Sequence, residues 1–296
     1  VIRGLAFVGL IACALAALAF AVGLQIVRDR QYSRDQQQAL AVMYVRSGPA
    51  LRRIALEYDA LAADVYWIRA IQHYGGDRLA GSGKRKYELL YPLLDIATSL
   101  DPYFTIAYRF GAIFLSEGYP GGPGRPDHAI TLLRKGISVQ PTKWQYYHDI
   151  AFVHYWQLRD MEGAARWFRL AASQPNAPNW LEPVAATMLI EGGDRASARF
   201  LLQQILRSEE AWLQRMAQRG LMQVDALDAI DQLQPFVNKY PPPEGTPYSW
   251  DWLIQSRVFR MVPRDPSDTP FDIDPKTGTV RVSAESELYP MPTKKQ

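Results

Sequence analysis

"HAITLLRKGISVQP", residues 128–141, sets the reading of the whole chain. Ala129, Leu133 at +4 and Gly136 at +7 share one face of a helix, and Pro141 at +12 closes it. A glycine inside a helix costs roughly 1 kcal/mol against alanine. Its place is explained if another helix packs there too closely for a side chain. A contact of that kind, in a protein built from stacked helix pairs, has to return at the length of one pair.

It returns three times. "LLYPLLDIATSLDP" carries Leu90, Leu94, Ala97 and Pro102 at the same offsets. "AARWFRLAASQPN" carries Ala164, Phe168 and Ala171, with Pro175 one place early. "ARFLLQQILRSEE" carries Ala198, Leu202 and Ile205, with Glu210 where proline would stand. The first positions lie 39, 35 and 34 residues apart. A partner helix precedes each unit: Trp67, Ile71 and Tyr74 share a stripe, then Ala107, Phe110, Gly111 and Phe114, then His148, Ala151 and His154, then Ala186 and Leu189. The second unit is longer because "YPGGPGRP" (Tyr119–Pro126) cannot extend a helix.

Four units in register over about residues 60–210 resemble a tetratricopeptide repeat array, whose 34-residue helix–turn–helix unit places small residues where helices touch. "YVRSGPALRRIALEYDALAADVYWIRAIQHYGG" (Tyr44–Gly76), "YPLLD…LDPYF…AYRFGA" and the C-terminal "PRDPSDTPFDIDPKTGTV" narrow this further. Together they resemble a group of membrane-anchored bacterial repeat proteins, with Ser47-Gly48 a poorer version of that group's opening motif. The resemblance implies an anchor, repeats and a tail. The expectation is an all-α fold: an N-terminal transmembrane helix, a helix–turn–helix solenoid and a tail with a short β-hairpin. The boundaries are anchor 1–27, connector 28–59, solenoid 60–234 and tail 235–296.

The anchor reading rests on Gly4–Leu24, 21 residues without a charge, about the ~20 a helix needs to cross ~30 Å of hydrocarbon. "ALAALAFA" offers cleavage sites of a signal peptide and "LIAC" resembles a lipobox ending at Cys13. The apolar run continues eleven residues past Cys13, which favours an uncleaved signal anchor of a bacterial inner membrane, contacting lipid through residues 4–24. Arg3 before the segment against Arg28, Arg30 and Arg34 after it favours a cytoplasmic body. Short signal anchors more often carry the body across, and the extracytoplasmic side is the expectation.

Charge adds little. Residues 1–90 hold 12 Lys/Arg against 7 Asp/Glu, leaving −2 for the rest of a chain whose net charge is +3. That bias beside an apolar terminus fits a membrane-facing base, not the dense basic stripe of a nucleic-acid surface. One cysteine excludes an intramolecular disulfide, a Cys-based zinc site and a CxxCH haem site.

After Gln234, "PFVNKYPPPEGTPY" reads as a Pro-rich linker or extended arm. "SWDWLIQSRVFRMV" reads as a short helix capping the last repeat through Trp250, Trp252, Leu253, Val258 and Phe259. In "FDIDPKTGTVRV", Phe271 and Ile273 alternate with Asp, Pro275 opens a turn, Gly278 supplies positive φ, and Val280 and Val282 alternate again. The Asp272/Asp274 pair lacks the glycine and glutamate of a calcium loop, which has Thr277 and Ser283 in those places. His148 and His154 lie six apart, off one helix face, and His73 and His128 have no ligand partners nearby in sequence. No phosphate loop or nucleophile elbow occurs. The expectation is therefore no catalytic site, no metal and no cofactor.

First-helix residues three before and one or four after the small position point into the solenoid's concave face. That nominates Ile68, Gln72, Tyr108, Ala112, His148, Phe152, Tyr155 and Thr187. Gln72, Tyr108, His148, Phe152, Tyr155 and Thr187 form the expected partner-binding groove, suited to a peptide or partner helix. Trp67, Trp144, Trp167, Trp180 and Tyr91 are expected in the core. The functional expectation is a scaffold holding other proteins at the membrane, as an accessory or assembly subunit of a larger complex. The alternatives are an envelope enzyme or a small-ligand carrier using the same concave face.

Overall fold

The computed structural model describes residues 16–24, 26–27, 47–80 and 86–292. Residues 16–24 and 26–27 are helical. The rest of the expected anchor, Cys13 included, and connector residues 28–46 lie outside the described residues. No helix among the described residues is long and apolar enough to cross a membrane.

Among the described residues the fold is all-α apart from one short strand pair. It divides into two compact units, Val1–Leu115 with Tyr119–Pro123, and Ser116–Gly118 with Gly124–Gln296.

The first unit holds α1 (Gly48–Ile54), α2 (Asp59–Leu79), α3 (Leu90–Leu100) and most of α4 (Thr105–Ser116). Ser47 caps α1 by accepting the Ala50 N–H at 3.4 Å, with Pro49 in the first turn where its missing donor costs nothing. Ala63, Tyr66, Ala70 and Tyr74 form the buried face of α2, which packs on α3. Trp67 reaches α4: its ring lies 6.1 Å from Phe114 and 6.1 Å from Phe104. Tyr74 stacks on Phe114 at 4.4 Å. Ile71 and Phe110 stand exposed, correcting their assignment to the packed stripes. A helix presents a wider arc than one neighbour covers, so a stripe chosen by spacing overshoots the contact.

In the second unit α5 (Pro126–Val139), α6 (Trp144–Val153), a π-helical turn (His154–Leu158), α7 (Met161–Ala172), α8 (Leu181–Gly192), α9 (Arg195–Ile205) and α10 (Ala211–Lys239) follow one another. Each of these helices packs against the next. All twelve template positions of the four second helices are buried, from Leu90, Leu94 and Ala97 to Ala198, Leu202 and Ile205, Gly136 among them. The small residues do what their spacing requires: Ala151, Ala164, Ala171, Ala186 and Ala198 are fully buried in one core with Phe168, Leu181 and Leu202. At Gly220 α10 approaches α9 so closely that an added Cβ would lie 2.8 Å from Leu202 Cδ2.

The linker expected after Gln234 does not begin there. The helix α10 runs through Pro235 to Lys239. An interior proline costs about 3 kcal/mol. The next turn is held nonetheless, because Val237 is fully buried in a second core. That core joins α10 to α11 (Trp250–Gln255) and to the antiparallel pair β1 (Asp272–Ile273) and β2 (Val280–Arg281). Ser249 caps α11 by accepting the Trp252 N–H at 3.2 Å. Trp250 Nε1–H donates to the Phe271 carbonyl at 2.6 Å. Gln234 ties helix to hairpin, donating to the Gly278 carbonyl at 3.0 Å and accepting the Val280 N–H at 2.8 Å. Gly278 sits at φ +73°, and the Asp274 carboxylate accepts the Lys276 and Thr277 N–H groups inside the turn. The tail is thus laid along α10, with Gln223 donating to the Leu288 carbonyl at 2.8 Å.

Candidate functional site

The structure separates the six nominated groove residues by role. Tyr108 is 0% exposed, its hydroxyl donating to the Thr98 carbonyl at 3.3 Å, and Ala112 is buried beside it in sequence on α4. Both are core. The register "one after the small residue" points inward here because Ala107 and Gly111 widen the buried face of α4. Gln72 and Ile68 are exposed on α2. His148 is half-buried, edge-on to Trp144, Phe168 and Trp180 at 5.7–6.0 Å, with Nδ1–H donating to Asp149 at 2.9 Å. Thr187 Oγ1 donates back to the Pro183 carbonyl at 3.0 Å. Trp180, expected in the core, is exposed, while Trp67, Trp144, Trp167 and Tyr91 are half-buried.

Phe152 and Tyr155 belong to something better defined. Phe152 lies in the last turn of α6, and Trp156 follows four residues later in the π-helical turn. Their rings stack almost parallel, 6° apart in plane and 6.2 Å between centroids, yet Phe152 is 47% and Trp156 49% exposed. Tyr155 flanks Trp156 at 6.2 Å. The Arg159 guanidinium lies 5.6 Å from the Trp156 ring centre, a cation–π contact of about 0.5–1 kcal/mol at an exposed site.

The turn that presents them is pinned from behind. Its widened i→i+5 step is rare and short along a helix, and here it ends at once in a fixed geometry. Arg159 takes a left-handed backbone, φ 55° and ψ 26°, and the Asp160 N–H returns to the His154 carbonyl at 3.0 Å. Asp160 then caps α7, accepting the Gly163 N–H at 2.8 Å, while His154 Nδ1–H donates to its other oxygen at 2.9 Å. Burial works to raise the Asp160 pKa, and the bonds from Gly163 and His154 outweigh it, leaving the carboxyl below its usual range. Gly163 is required by closeness: a Cβ there would collide with the Asp160 carboxylate and sit 2.6 Å from His154 Nδ1.

The surface offers flat aromatic area beside the Arg159 cation on a turn held by the His154–Asp160 pair. Trp156 and Arg159 were missed by the sequence reading, although Phe152-to-Trp156 is an i, i+4 pair and "RDMEG" carries an Asp-x-x-Gly cap. Among the described residues, no group of three or more His, Cys, Asp or Glu side chains is placed to hold a metal ion. A separate groove of about 510 Å³ opens between α7 and α9, lined by Arg169, Glu182, Leu201 and Gln204 among others. Comparison with models of known protein families, with characterised proteins and with solved structures returned no match.

Proposed function

We propose that this chain is a membrane-anchored, tetratricopeptide-like scaffold that grips another protein through the Phe152–Trp156–Arg159 surface. It acts as an accessory or assembly subunit of a larger bacterial membrane complex. The observation that carries the reading is the stacked ring pair left half-open to water on a pinned turn. Interface hot spots are enriched in Trp, Tyr and Arg, and rigid aromatic area binds with little loss of side-chain entropy. The successive helix packing and the recurring small residues support the repeat-array part of the reading. The uncharged run Gly4–Leu24 supports the anchor, which would confine the scaffold to two dimensions and raise the effective concentration of its partners. A small-ligand carrier has less support, because the α7–α9 groove lies open and Arg166 at its rim is engaged by Glu162 at 2.8 Å.

The test is a mild-detergent pull-down of the full chain from its native membrane, beside a Phe152→Ala/Trp156→Ala variant. Both side chains are half-exposed, so the variant should melt like the parent. Stoichiometric co-purification with a membrane protein that drops at least tenfold in the variant is the expected result. Equal recovery of that protein by both chains would remove this surface from the account.

A further inference from the structure

The junction of α1 and α2 carries a second exposed apolar surface, in the first unit. Leu56 and Glu57 between the helices both take left-handed backbone, φ 46° and 75°, a conformation that side-chain-bearing residues adopt only when their surroundings hold them there. The result is to hold apolar side chains in water: Leu56 is 77% exposed, Ile54 67% and Leu61 62%. Behind them runs an open groove of about 340 Å³, lined by Leu51, Ile54, Tyr58, Leu61 and Val65 with only alanine and tyrosine besides.

Charge decides what such a surface meets. Residues 28–54 contain six arginines, Arg28, Arg30, Arg34, Arg46, Arg52 and Arg53, against Asp29 and Asp35. Arg52 and Arg53 occupy the last turn of α1, whose first turn has no acid. Glu57, Asp59 and Asp64 follow in sequence, and Asp59 lies 3.5 Å from Arg52. Apolar and tyrosine side chains next to Arg52 and Arg53, at the end of a basic stretch of sequence, match a lipid interface, where acyl chains accept the former and anionic headgroups the latter. An apolar protein helix would satisfy the groove and leave the arginine excess unexplained. The twenty-two residues 25–46 can span at most about 75 Å fully extended, so an anchor at residues 4–24 tethers this junction within that reach of the bilayer.

We infer that the α1–α2 junction rests on an anionic bilayer surface, with Ile54, Leu56 and Tyr58 entering the headgroup region and Arg52 and Arg53 on the phosphates. The inference rests on the anchor reading. It makes the scaffold's base a second, shallow contact that orients the first unit to the membrane.

The full chain, as a Cys13→Ser/Leu56→Cys variant carrying an environment-sensitive fluorophore, is reconstituted into vesicles of equal parts phosphatidylcholine and phosphatidylglycerol. Flotation reads the anchor, and quenching by headgroup-proximal spin-labelled lipid reads the junction. A matched label at Phe200→Cys, exposed on α9, is the control. The expected result is flotation with the position-56 label quenched several-fold more than the control. That difference should shrink in pure phosphatidylcholine and in Arg52→Glu/Arg53→Glu. Flotation with an unquenched label overturns the docking and leaves the anchor standing, whereas no flotation ends both. A label shielded from aqueous iodide only after native membrane proteins are added, with no lipid quenching, assigns the groove to a protein partner and overturns the inference.

Discussion

Gly163 shows how much one absent side chain decides. It lets the Asp160 carboxylate and the His154 ring meet over the start of α7, and that clasp fixes the turn presenting Trp156. Gly163→Ala gains about 1 kcal/mol of helix propensity and loses the cap and the close approach. We expect net destabilisation of about 1–2 kcal/mol, read as a lower urea midpoint. Gly76 on α2 is the opposite case: an added Cβ there meets nothing within 4 Å and the backbone is helical. Gly76→Ala should stabilise by about 0.5–1 kcal/mol. If both substitutions move the midpoint the same way, the distinction between a packed and an open glycine is wrong here. Neither outcome was legible beforehand, since the two glycines look alike in sequence and differ only in what approaches them.

Among the elements, α3 owes its start to α2. The Leu89 N–H, which has no partner in its own helix, donates to His73 Nε2 at 3.2 Å, and the Tyr87 N–H donates to Asp77 at 2.6 Å. Accepting through Nε2 requires a neutral ring. Burial lowers the His73 pKa from its ordinary 6.5, more than Asp77 and Glu88 raise it. A histidine with a lowered folded pKa leaves the unfolded chain binding more protons below about pH 6.5. Its stabilising contribution is therefore full above about 6.5 and falls as pH drops towards the folded value. Chemical denaturation between pH 8 and 5 should show a steeper acid-side loss for the parent than for His73→Gln, whose amide oxygen can still accept from Leu89. Parallel curves would show that His73 does not couple to folding. The helices themselves were readable from the 3.6 period and the twelve buried template positions. The partner side chains at their ends were not, because capping by a residue sixteen positions away leaves no local pattern.

At the scale of the whole molecule, the second unit closes on the tail. The outer face of α10 is apolar, with Ala226 and Val237 fully buried and Ile230 and Leu233 packed beside them under α11 and the hairpin. An end helix with an apolar outer face needs such a cover to stay in solution. Trp250→Ala removes a large buried ring and its bond to the Phe271 carbonyl, and should cost about 3–5 kcal/mol. The loss is measurable as a fall in thermal midpoint with increased aggregation. A midpoint unchanged within error would mean that the tail is an appendage and not part of the core. Arg195 and Arg199 on α9 meet Asp225, Asp228 and Asp231 on α10, fastening the helix that carries the tail.

The sequence by itself determined the paired helices of the four units, the positions of their small residues, the α11 helix and the hairpin turn, because each depends on periodicity or on one residue's local geometry. It also nominated Phe152 and Tyr155 for the concave face. Only the tertiary structure decided that Tyr108 is core, that α10 passes Pro235, that the tail lies on α10, and that Trp156 with Arg159 completes the open aromatic face. Those outcomes turn on which neighbour reaches a given arc of helix first, a competition among distant surfaces that no local spacing records.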